Sequence, residues 1–341
     1  MIADSLCTLV QHNCNIADAK HAANYTLCTY LMKMREFCRW DKGYSYNELL
    51  PKEEVGEWVS QREELWEELE QENYAPIEID GQSFDPFDTE AINATLLPKG
   101  MVYSGGLGAR CAPHFFLGKL AGTESHNDYQ VIVSSEECAR DLGAPPAMTL
   151  GNTIFIRRES IRRMLWEKMQ EWRWHKIENA MSKAFSFYDF EGDAEYALNK
   201  MADVELDAIM LHEQGEIKTA EILGADWKNY LALMNNARLE LMLRTAKDLF
   251  ADSLVTLPNL INQNKVASIH FFAANMSPMR KQLCPSFIES YEAWVDQGDL
   301  SCLSVWTDKS SQHWQQVLTQ VLALREKNDA EIEKFIEGSK L

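Results

Sequence analysis

Basic residues are scarce in this 341-residue chain: 33 lysines and arginines stand against 52 aspartates and glutamates, a formal net charge of −19. That surplus repels a nucleic-acid backbone or an anionic membrane surface, so neither is expected as the main partner. No apolar run approaches the roughly 20 residues that a bilayer-spanning helix needs. The N-terminus lacks the basic, then apolar, then small-residue order of an export signal. None of the eight cysteines forms a Cys-x-x-Cys pair, and in a chain of this size they read as reduced thiols. A cytoplasmic protein is therefore expected. There is no Gly-x-Ser-x-Gly elbow and no His-Glu-x-x-His helix, and Gly105-Gly106-Leu107-Gly108 has no Lys-Ser/Thr after it to make a phosphate loop. Internal repeats and low-complexity tracts are absent too.

What is present is apolar periodicity. Hydrophobic residues make up 46% of the chain, enough for a real core. Residues 4–23 and 25–40 read as helices, and a third starts at Pro51 with Val55, Trp58, Val59, Leu65, Trp66 and Leu69 at helical spacing. The texture changes after Tyr74. Residues 75–152 hold nine of the 16 glycines and six of the ten prolines, and the short apolar runs 101–104, 113–120 and 129–133 read as strands. From Arg157 the pattern is helical nearly to the end, with breaks at Gly224, Pro258, Pro278, Pro285 and Gly298. The fold class is mostly α (α+β). A large helical bundle of residues 1–74 and 153–341 is expected, with a small α/β region of short antiparallel strands inserted at 75–152.

The candidate chemistry sits on the segment 191–223. Leu206, Ile209, Met210, Ile217 and Ala220 form one apolar stripe at about 100° per residue. Glu213 falls near its middle, and Glu205, His212 and Glu216 line its flank. A buried carboxylate is costly unless it is paired, protonated or bound to a metal. The first helix carries Cys14, Asp18 and His21 at offsets i, i+4 and i+7, all acceptable ligand types for zinc or iron. His270 lies among aromatics in Ile269-His-Phe-Phe, either as a hydrogen-bonded core histidine or as a general base. Arg280, just after Pro278, is placed to hold a carboxylate or phosphate of a substrate.

The Glu205-x6-His212 and Cys14-x3-Asp18-x2-His21 spacings resemble the ligand pattern of haem-oxygenase-like di-iron oxidases. Cys14 stands where that family has histidine, and the two motifs occur here in reverse order. A second resemblance, to an uncharacterised bacterial protein family, spans most of the chain. It rests on His12-Asn-Cys-Asn-Ile-Ala-Asp-Ala-Lys-His21, Leu31-Met-Lys-Met-Arg-Glu36, Leu211-His-Glu-Gln-Gly-Glu216 and Ser268-Ile-His-Phe-Phe-Ala-Ala-Asn275.

Together these features lead to the expectation of a metal-dependent enzyme. Iron or another first-row transition metal would lie between helices 4–23 and 191–223, on Cys14, Asp18, His21, Glu205, His212 and Glu216. It would activate oxygen or water on a small-molecule substrate, with Glu213 or His270 moving protons. The alternative is a non-enzymatic partner-binding or assembly protein. In that case His212 and Glu213 pair with Arg35, Lys33 or Arg280 and only fix packing.

Overall fold

The computed structural model describes residues 2–108, 112–126 and 128–341, and the side chains of all these except 2–4 and 175. Cys111 lies outside them. The described cysteines are free thiols. No helix among the described residues is long and apolar enough to cross a membrane. The chain divides into two compact units, one of residues up to Trp174 with Tyr188–Leu206, the other of His175–Phe187 with Asp207–Leu341.

The first unit is a sheet with helices. Helices α1 (Ile2–His21), α2 (Leu27–Lys42) and α3 (Lys52–Leu69) come first, followed by the hairpin β1 (Ile77–Ile79) and β2 (Gln82–Phe84). The hairpin turns through Asp80 and Gly81, both at positive φ, the backbone that a two-residue turn between right-twisted strands demands. After α4 (Thr89–Leu96) come β3 (Met101–Leu107), β4 (Pro113–Ser125), β5 (Gln130–Arg140), β6 (Ala147–Leu150) and β7 (Thr153–Arg157). Their order is β3-β4-β5-β7-β6. All neighbours are antiparallel except β5 and β7, which run parallel because the β6–β7 hairpin folds β7 back between β6 and β5.

Alternation along β4 builds two cores. Phe115 and Leu117 pack with Val10, Cys14 and Ala17 of α1, while Phe116 packs on the other face with Val102, Ile132 and Phe155. The sequence pattern grouped α1–α3 with the later helices. In the structure they belong with the sheet, because β4 and β5 offer α1 the apolar face that its own stripe needs. A buried ion pair of Arg157 with Glu137, joined by Ser160, ties β7 to β5 at the start of α5 (Arg158–His175).

The second unit is helical. It contains α6 (Ala180–Phe185), the later part of α7 (Ala194–Leu223), α8 (Ala225–Ala232), α9 (Ala237–Ala251), α10 (Leu257–Asn262) and α11 (Val266–Ala274). After these come α12 (Pro278–Leu283), α13 (Pro285–Gln297), α14 (Ser301–Ala323) and α15 (Asp329–Gly338). Its core gathers Phe250, Leu257, Ile269, Phe287, Trp306 and Trp314.

Pro258 was expected to end a helix. Instead α9 runs on into α10 through a π turn at Asp252–Thr256. Proline removes the amide that would bond to the carbonyl four residues back, and a π turn absorbs the mismatch. Asn259 Nδ2 caps the Val255 carbonyl at 2.8 Å.

Candidate functional site

Helix α7 approaches α9 at Gly215. A Cβ added there would come within 2.7 Å of the Ala251 carbonyl oxygen, so only glycine permits this backbone contact. The contact also decides which face of α7 is buried. Leu206, Ile209, Met210, Ile217 and Ala220, the expected core stripe, are only half-buried, whereas Gly215, Thr219 and Leu223 are buried. A small residue lets a neighbouring backbone in, and the face follows the backbone rather than the larger side chains.

Flanking Gly215, His212 and Glu216 stand one turn apart on α7. Asp248 and Asp252 stand one turn apart on α9 and its π continuation. One ligand atom each from His212, Glu216 and Asp248 lies within 4.8 Å of the others, the one such group of three among the described residues. His212 is held from behind: its Nδ1 is 2.7 Å from Asp252 Oδ1, and its Nε2 is 3.9 Å from Glu216 Oε1. Asp252, 2% exposed, also accepts from Thr256 Oγ1 at 3.1 Å and pairs with Arg280 Nη1 at 2.9 Å. The other Arg280 terminal nitrogen is 3.0 Å from Asp248 Oδ2, and Lys247 Nζ is 3.2 Å from Glu216 Oε2.

These contacts set the proton affinities. Burial alone would lower His212, but Asp252, by charge and hydrogen bond, outweighs it and pushes the imidazole up to about 10. Asp252 and Glu216 are held below the usual carboxylate range despite burial, Asp252 chiefly by Arg280 and Glu216 chiefly by Lys247. Burial raises Asp248, only partly offset by Arg280. Without a metal the cluster balances three carboxylates against Lys247, Arg280 and an imidazolium.

The family models place this cluster. Residues 5–157 match the N-terminal domain, and residues 162–339 the C-terminal domain, of the family of unknown function DUF6866. The chain belongs to this family. No curated protein and no solved structure matches it. All the residues of the His212 cluster fall in the DUF6866 C-terminal domain. The seam between the two domain models lies at the start of α5.

The other expected site residues are distributed through both DUF6866 domains. Cys14 is buried in the N-terminal domain, where its thiol donates to the Phe115 carbonyl at 3.3 Å and burial pushes its proton affinity well up. Asp18 accepts from the Leu142 amide on both oxygens, at 2.9 and 3.0 Å, and is raised by burial and by Asp141 nearby. His21 is half-buried, and burial lowers it first, with a further contribution from His114. Asp141, in turn, holds His114 Nδ1 at 3.2 Å and the Phe115 and Ala144 amides. Cys14 and Asp18 fasten the helix to the start of β4 and to the chain just beyond β5.

Glu205 is buried in the first unit beside Tyr188, whose hydroxyl burial and Glu205 push up. Glu213 is half-buried. One residue beyond His212, it points about 100° away around α7 and is not one of the converging three. His270 bonds through Nδ1 to the Tyr291 hydroxyl at 2.8 Å, stacks on Trp294 with centroids 4.7 Å apart, and is pulled down to about 4 by burial. Tyr291 borders a cavity of about 490 Å³ between α6, α11 and α13. Arg280 does hold carboxylates, but they are those of Asp248 and Asp252.

The residues that sequence reasoning missed are Asp248 and Asp252. Their signal was the same i, i+4 spacing, inside the apolar stretch Leu243–Leu257.

Proposed function

We propose that the protein is a metal-dependent enzyme whose first-row transition metal sits between α7 and α9 on His212, Glu216 and Asp248. The observation that carries this reading is the convergence of one imidazole and two carboxylates within 4.8 Å. One nitrogen with two carboxylate oxygens suits iron, manganese or zinc, and three protein ligands leave coordination positions for water, oxygen or substrate. Asp252 supports the reading. A carboxylate on the far nitrogen of a ligating histidine fixes its tautomer and aims the other nitrogen at the ion, and Asp252 on Nδ1 leaves Nε2 facing Glu216. Lys247 and Arg280 engage one oxygen of Glu216 and one of Asp248, and the two carboxyl groups also hydrogen-bond each other, a contact that a bound ion would replace. When bound, the ion would lower the proton affinity of a coordinated water. The ligand trio lies wholly on α7 and α9, so the reading needs no group from α1.

A second reading has its own support. The raised His212 makes an imidazolium that already neutralises the cluster together with Lys247 and Arg280. A non-enzymatic helical protein would use such a network only to fix the packing of α7, α9 and α12.

Elemental analysis of protein purified without chelator, before and after incubation with iron, manganese or zinc, separates the two. About one equivalent of metal in the wild type, lost in His212→Gln, supports the metal centre. Less than about a tenth of an equivalent under every condition sinks it and leaves the charge network.

A further inference from the structure

The first unit contains an arginine that no acidic group hydrogen-bonds, although the charges of Glu137 and Glu167 nearby favour its cation. Arg140, at the end of β5, is 1% exposed, and its guanidinium carbon lies over the rings of Phe37 at 4.9 Å and Trp40 at 5.1 Å. Its Nε and Nη2 are buried without a hydrogen-bond partner, and the same holds for Nε of Arg162 and Nε of Arg163. All three arginines line one cavity of about 380 Å³, enclosed by the end of α2, the segment 43–46, the start of α5 and Glu195. Buried donors in native proteins are almost always bonded, so orphaned N–H atoms on three side chains that line one cavity call for acceptors the chain does not supply, water or a bound ligand.

The neighbouring cations have internal partners that Arg140 lacks. Arg39 holds Glu36 and the carbonyls of Ser45 and Glu48. Arg163 pairs with Glu167 and bonds the Gly143 and Ala144 carbonyls, and Arg162 pairs with Glu195. The lining carries four arginines against three glutamates, and Glu167 behind Arg163 makes the charges even, so Arg140 is set apart by its missing hydrogen bonds rather than by a net positive charge. Trp40, Tyr44 and Tyr46 add apolar walls. A planar guanidinium with two unpartnered N–H groups is the donor that carboxylates and phosphates bind best, and the volume is that of a small-ligand pocket.

We propose that this cavity binds the oxyanion, carboxylate or phosphate, of a small organic molecule, with Arg140 as its principal contact and Arg162 and Arg163 beside it. The site uses no group of the metal centre and stands whether or not that centre exists.

Isothermal titration calorimetry on the full chain tests it, with ionic strength held constant by chloride. Potassium phosphate is the titrant in one arm and potassium acetate in the other. Saturable one-site binding in either arm supports the proposal, and the responding arm identifies the oxyanion. Arg140→Met should weaken that binding at least about tenfold, the loss expected for a charge-assisted hydrogen bond. Arg162→Gln, at the more open edge, should weaken it less and serves in place of Arg140→Met if that variant does not fold. No saturable heat from either anion up to about 50 mM, two orders above the affinity expected of a built site, overturns the proposal. So does unchanged affinity in the variants.

Discussion

Asp252→Asn is the perturbation that reads the His212 cluster most directly. The native carboxylate is 2% exposed and lies against two cationic groups, His212 at 2.7 Å and Arg280 at 2.9 Å. Removing one partner from a buried ionic contact leaves the other charge uncompensated, at a cost of about 3–5 kcal/mol. The pH dependence adds a signature that packing alone cannot imitate. His212 has its folded-state proton affinity raised to about 10, against about 6.5 in the unfolded chain. Its contribution is fully present below pH 6.5, declines as the pH climbs through this window, and is gone above about 10. At about 1.4 kcal/mol for each unit, and discounted because the imidazole is 29% exposed, the decline is on the order of 3 kcal/mol. Lys33, pulled down to about 8 by burial, titrates in the same range with the opposite sign. The informative quantity is therefore the difference between wild type and variant. Urea melts in EDTA should show the full penalty of Asp252→Asn at pH 6.5 and about half of it at pH 10. A penalty below about 1 kcal/mol at pH 6.5, or one that is the same at both pH values, would refute the argument.

Gly215→Ala should destabilise by about 1–3 kcal/mol, since a Cβ 2.7 Å from the Ala251 carbonyl oxygen forces α7 and α9 apart; an unchanged urea midpoint would show that the helices part freely. If His212 ligates the metal it must first release its proton, so affinity should rise by up to about tenfold per pH unit between 6.5 and 9. Competition with a chromophoric chelator measures this, and a flat profile removes His212 from the ligand set. His270, held near 4 while the unfolded chain titrates near 6.5, should make stability rise with pH by about 2–3 kcal/mol across that interval. His270→Gln should abolish the rise, and an NMR titration placing this imidazole above 6 would contradict the burial argument.

Local pattern alone determined a good deal of this protein. Helical periodicity marked α1–α3 and the long helical stretch after Arg157, and glycine and proline density marked the sheet region, because backbone preference and one-sided burial are written residue by residue. The pairing of His212 with Glu216 was readable too, since i, i+4 spacing on a helix is a local fact. Asp248 and Asp252 carried the same spacing and were legible in principle. What no local pattern contained is which helix α7 meets. That was decided by Gly215 admitting the Ala251 backbone, a contact between residues 36 positions apart. It turned α7 so that the expected apolar stripe is only half-buried, and it set His212 and Glu216 against Asp248. The sheet was settled the same way, with β7 placed parallel to β5 by the returning β6 hairpin and α1 drawn onto β4 and β5. Arg140 shows the limit most clearly. In sequence it is one cation among 33, and only the folding of β5 against α2 and α5 leaves its guanidinium buried, flanked by aromatic rings and without an acceptor.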